Sequence, residues 1–165
     1  APCAGRLGWT AASDALPLPR ELARLYHQVR SDPSIKDKSF RNPAYVDAIY
    51  SIAERLLEAA ADYVGSLPPA HRDALGDALR RLLREEYARR LPGAELPDLS
   101  GPLGPELLER VWEAAERAVE DGKAPLSDMA RTMPEAERLA RLLAAEVVIH
   151  AVMVFLSYVG TVRLA

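Results

Sequence analysis

Between Leu142 and Val159 the chain is apolar nearly all round, interrupted only by Glu146, His150 and Ser157. A helix that is apolar on every side must be surrounded. The cover has to come from the rest of the chain, from another subunit or from lipid. The stretch approaches the length of a membrane span, but Glu146 and His150 oppose a place in hydrocarbon. The expectation is therefore a central core helix or an assembly interface. Its start is marked by a capping box, Thr132 with Glu135 three residues on, and by Pro134 in the first turn. The helix is predicted to run to about Val159, with Gly160 as the stop. Part of its circumference is expected to be covered by another subunit, which makes Val148, Val152 and Phe155 candidate interface residues.

The remaining segments read as the jacket for that helix. Ala, Leu, Glu and Arg dominate the 165 residues, and strand formers are sparse before the C-terminus; that mix favours helices. A first short helix is predicted over Pro19–Arg30. Leu22, Leu25, Tyr26 and Val29 form its apolar face, and Arg20, Arg24 and His27 follow an i, i+4, i+7 rhythm opposite. Residues 31–42 read as a loop. Asn42 is a good N-cap and Pro43 suits the first position of a second helix. There Asp47, Ser51, Glu54, Arg55, Glu58 and Asp62 make a polar stripe, and Tyr45, Ile49, Ile52, Leu56 and Tyr63 line an apolar side. Val46, Tyr50 and Leu57 widen that side, so the helix needs more than one neighbour. Gly65 is its predicted stop.

A third helix follows Pro68-Pro69 and reaches about Arg90, with Leu75, Leu79, Leu82, Leu83 and Tyr87 inward. Residues 91–104, rich in Pro and Gly, form a loop. A fourth helix covers Pro105–Asp121, with Leu107, Leu108, Val111, Trp112, Ala115 and Val119 inward, and Gly122 ends it. One short turn is expected within 123–132. Residues 1–18 read as an extended arm, with Trp9 anchored either on a neighbouring subunit or on its own domain. The fold expectation is thus all-α: a bundle of about four to five helices forming one domain over 19–165, preceded by the arm.

Charge is unevenly spread. Residues 1–41 carry seven Arg/Lys against four Asp/Glu, whereas 42–100 and 101–165 each carry seven against ten. A basic front can be a polyanion-binding arm or a solvated loop. The cations Arg80, Arg81, Arg84, Arg89 and Arg90 either complement the negative end of the third helix or bind phosphate. Cys3 is the only cysteine, which excludes a disulfide framework and a thiolate metal site. His27, His71 and His150 show no metal-ligand spacing, and no phosphate loop or nucleophile elbow is present. No metal and no cofactor is expected. Glu146 and His150 share a helical face as either an acid–base pair or a buried polar pair that satisfies itself. The enzyme classes therefore have little support. One Asn, one Gln and few Met, with abundant Arg, Glu and Pro, point to a hot host, although a GC-rich mesophile produces much of the same bias. The N-terminus lacks a signal-peptide plan, and the missing initiator Met reads as removal or processing.

Residues 20–57 carry a specific pattern. Arg24-Leu25-Tyr26 leads through a cationic loop into Phe40-Arg41-Asn42-Pro43, and a helix with Ile49 in its first turns follows. This resembles the major coat proteins of filamentous and rod-shaped archaeal viruses, in which a phenylalanine, one spacer and Asn-Pro open a helix. The resemblance covers under a third of the chain. It implies a virion protein with an all-helical subunit that pairs with a like partner and contacts neighbours in a helical assembly and a viral envelope. It also implies wrapping of linear double-stranded DNA, with Arg20, Arg24, Arg30, Lys36, Lys38 and Arg41 as phosphate contacts. The family's N-terminal segment is usually more basic, and a heterodimer with a more basic partner would reconcile an acidic chain with that. Two other classes fit the residues: a helical small subunit of an RNA-guided CRISPR effector complex, and a cytoplasmic helical adaptor that binds no nucleic acid.

Overall fold

The computed structural model describes residues 17–164, and no strand occurs among them. Most of the arm predicted over 1–18, including Trp9, lies outside the described residues; Pro17 and Leu18 already belong to the first helix. Five α-helices follow in order: α1 (Pro17–Ser31), α2 (Pro43–Gly65), α3 (Pro69–Arg90), α4 (Pro105–Glu120) and α5 (Met133–Leu164), with a 3-10 turn at Ser127–Met129.

The helix starts follow from their caps. Asn42 accepts from the Ala44 amide at 3.1 Å, while its own amide nitrogen donates to the Asp37 carbonyl at 2.8 Å. One side chain thus opens α2 and ties down the loop before it. Asn42→Ala should cost about 1 kcal/mol, within the range for lost N-caps. Asn42→Ser, which keeps a capping oxygen, should recover part of it in a urea titration followed by circular dichroism. At α5, Thr132 Oγ1 accepts from the Glu135 amide at 3.2 Å, and Glu135 accepts from the Arg131 amide at 2.9 Å. The reciprocal arm of the box therefore lands one residue earlier than the motif expects.

α2 ends at Gly65, the predicted stop, and its last carbonyls are capped by Ser66, whose amide donates to Asp62 and Tyr63 and whose hydroxyl donates to the Tyr63 carbonyl at 2.7 Å. One other predicted glycine stop is corrected. Gly160 does not end α5, which continues to Leu164. A lone glycine costs about 1 kcal/mol inside a helix, and no proline follows to break it. Gly122 is a true stop: at φ 71° it donates to Val119, and Lys123 donates back to Ala118 at 2.8 Å, the paired bonds of a Schellman end.

The long apolar helix is central. α5 packs against α2, α3 and α4, and α1 lies on α2. Val147, Val148, Ile149, Val152 and Phe155 are fully buried within the subunit. This corrects the expectation that Val148, Val152 and Phe155 form an assembly surface, because three helices of the same chain already cover them. The large apolar side chains that α5 exposes among the described residues are Met133 near its start and Val154 and Tyr158 near its end. Among the described residues α5 is the one helix long and apolar enough to cross a membrane, by length and composition alone.

Candidate functional site

The buried arc of α1 is narrow because the helix leans mainly on one neighbour. Leu22 and Tyr26 are buried and Val29 is half-buried. Leu25, predicted to point inward, is 37% exposed; it lies one position off that arc. The opposite stripe, Arg20, Arg24, His27 and Ser31, is exposed throughout.

The loop after α1 is held by its own polar groups. The Ser34 amide and hydroxyl donate to Asp32 at 2.9 and 2.8 Å, and these bonds hold the Asp32 carboxyl below the usual range. Ile35 packs against the core, and Phe40 is buried with its carbonyl accepting from Arg138 at 3.0 Å. This frame presents Lys36 and Lys38 to solvent.

The six predicted cations fall into two groups. Arg20, Arg24 and Lys36 are exposed and have no partner among the described residues. The other three are engaged within the chain. Arg30 donates to the Tyr26 hydroxyl at 3.2 Å, and Lys38 donates to the Ile35 carbonyl at 2.9 Å. Arg41 lies over the Phe40 ring, donates to the Met129 carbonyl at 3.2 Å and stands 3.6 Å from Glu135. Met129 and Glu135 are too distant in sequence for that engagement to be read beforehand.

The Arg run of α3 is largely occupied as well. Arg80 donates to the carbonyls of Leu99 and Gly101, and Arg110 of α4 donates to that of Ser100; together they clamp the 91–104 loop. Arg81 pairs with Glu85, and Arg89 and Arg90 both bind Glu86 at 2.7 Å. Arg84 alone of that run has no partner among the described residues.

Glu146 and His150 do not form an acid–base pair. His150 Nδ1 donates to the main-chain oxygen of Glu146 at 2.8 Å. The Glu146 carboxylate instead accepts from Tyr26 at 3.3 Å and from Arg90 at 3.4 Å. The pair is a structural tie joining α1, α3 and α5. Burial, followed by the Glu146 charge, pushes the Tyr26 hydroxyl up to about 12; burial, followed by Glu54, does the same for Tyr50. In the unfolded chain both ionise near the ordinary tyrosine value of about 10. Below that value the stabilisation is complete, and it is lost as pH rises toward 12. An alkaline titration should show these two phenolates appearing together with unfolding, not before it.

Sequence reading also missed two features. Arg141 stacks over Tyr50 at 4.3 Å and bonds Asp47. In addition, Glu113, Glu116 and Glu120 of α4 meet Glu137 of α5 around Met133. Three of these carboxylates already follow i, i+3, i+7 spacing in the sequence; the fourth joins them only through the packing of α4 on α5. Among the described residues no group of three His, Cys, Asp or Glu side chains is arranged to hold a metal ion. Comparison with protein families, curated proteins and solved structures gave no match.

Proposed function

We propose that this chain is a structural nucleoprotein subunit of the kind its residues 20–57 resemble, a major coat protein of a filamentous archaeal virus. On this reading it pairs with a like subunit, wraps linear double-stranded DNA and resides in the virion. The observation that carries the reading is the exposed stripe Arg20, Arg24 and His27 on α1, with Lys36 on the loop that follows. Its two arginines and Lys36 have no partner among the described residues, and they lie in residues 1–41, the one net-positive segment of the chain.

Such cations bind phosphate, so binding would be independent of base sequence and sensitive to salt through counterion release. The test is the triple variant Arg20→Gln, Arg24→Gln, Lys36→Gln, which spares Arg30 and Arg41 because both hold the fold. Duplex binding should weaken, and the slope of log K against log salt should flatten by about 0.9 for each phosphate no longer neutralised. Helicity should not change. Arg55→Gln, on the acidic stripe of α2, serves as the control. A wild-type slope in the triple variant would remove this face as the binding site.

A further inference from the structure

A groove of about 340 Å³ runs between α4 and the start of α5. Met133 stands in it 66% exposed beside Ala136, and Glu113, Glu116, Glu120 and Glu137 rim it together with one cation, Arg117. None of the four carboxylates has a partner among the described residues. Burial and the charges of Glu137, Glu120 and Glu113 hold Glu116 above the usual carboxylate range. In the isolated subunit this arrangement repels itself and leaves apolar surface in water. A cationic surface carrying an apolar side chain would relieve both costs.

The chain owns such a surface. α1 exposes Arg20 and Arg24, and beside that stripe it exposes Leu25. We propose that the groove receives α1 of a second copy, with Arg20 and Arg24 against the carboxylates and Leu25 on Met133. Charge complementarity selects this occupant: the front of the chain is net positive, while the groove presents four carboxylates on two helices against a single arginine, Arg117. The two surfaces differ, so the interface is heterologous and builds open chains or rings in place of a closed symmetric pair. It uses cations that the proposed function assigns to phosphate, so duplex DNA and the neighbouring groove compete for α1. The groove acts as a stand-in for the phosphate backbone and covers the front of a neighbouring copy until nucleic acid displaces it. The proposal needs α1 to be accessible and does not depend on DNA binding.

Sedimentation velocity on the full chain tests it. At low salt the wild type should self-associate with increasing concentration, and salt should dissolve the oligomers. Glu116→Gln/Glu120→Gln and Arg20→Gln/Arg24→Gln should each weaken association on the order of tenfold while circular dichroism stays unchanged. Mixed in equal amounts, the two variants retain one native pairing and should stop at 1:1 complexes. Added duplex should compete with wild-type association. If the groove variant associates like the wild type, the proposal is overturned. A wild type that binds duplex yet stays monomeric at low salt also overturns it and leaves the nucleic-acid reading standing. Self-association without duplex binding upholds it and removes that reading instead.

Discussion

Phe155→Ala should lower the free energy of unfolding by about 3–5 kcal/mol, and Phe155→Arg should leave no folded protein. Phe155 is fully buried where α5 meets its three covering helices, in the same core as Val148 and Val152. Truncation removes the ring's burial and leaves a cavity that packed helices fill only in part. Against a total of about 5–15 kcal/mol for a domain, that is a large fraction. Urea unfolding followed by circular dichroism measures the loss. Val154→Ala, one residue earlier but half-exposed, should change stability by no more than about 0.5 kcal/mol. A Phe155→Ala variant as stable as the wild type, yet defective in assembly, would return the residue to the subunit interface that its apolar surroundings in sequence suggest.

The second large effect is expected at Glu86. It is the one charged side chain buried among the described residues, and it accepts from Arg89 and Arg90 at 2.7 Å each. Glu86→Ala should destabilise by about 1.5–3 kcal/mol, the range for hydrogen bonds to charged groups. Arg89 is exposed and recovers water, but Arg90 is mostly covered and also reaches Glu146. Glu86→Gln and Glu146→Gln should therefore be non-additive, because both act on the same guanidinium. Additive losses in a double-mutant cycle would show that Arg90 does not couple them.

Sequence reading succeeded where the cause is local. The Asn42 and Thr132/Glu135 caps act within a few residues of themselves, and both open helices. The polar stripe of α2 repeats with the helical period, and all six of its residues are exposed while the eight apolar ones are buried. The same periodicity located the outward stripe of α1. Failures came where a distant partner decides. The apolar circumference of α5 required cover, but only the packing reveals that α2, α3 and α4 supply it. Glu146 and His150 stand four apart, yet the carboxylate turns away from the imidazole, because Tyr26 and Arg90 reach it from other helices. The engagement of Arg41 with Met129 and Glu135 was hidden for the same reason. Leu25 failed on a geometric detail: α1 has one main neighbour, so its buried arc is narrower than its apolar one.

The clamp on the 91–104 loop joins groups that do not titrate. Arg80 and Arg110 keep their charge across the accessible pH range, and they grip main-chain oxygens of Leu99, Ser100 and Gly101. Acid that protonates the carboxylates of the α3 and α5 ties leaves these bonds intact. The clamp is also blind to the side chains it passes over, since every residue offers the same carbonyl. Exchanging the exposed Ser100 therefore costs the bond its hydroxyl donates to Asp98 at 2.8 Å but leaves the gripped carbonyl in place, whereas either arginine can be replaced only by a side chain that reaches as far and donates as many bonds.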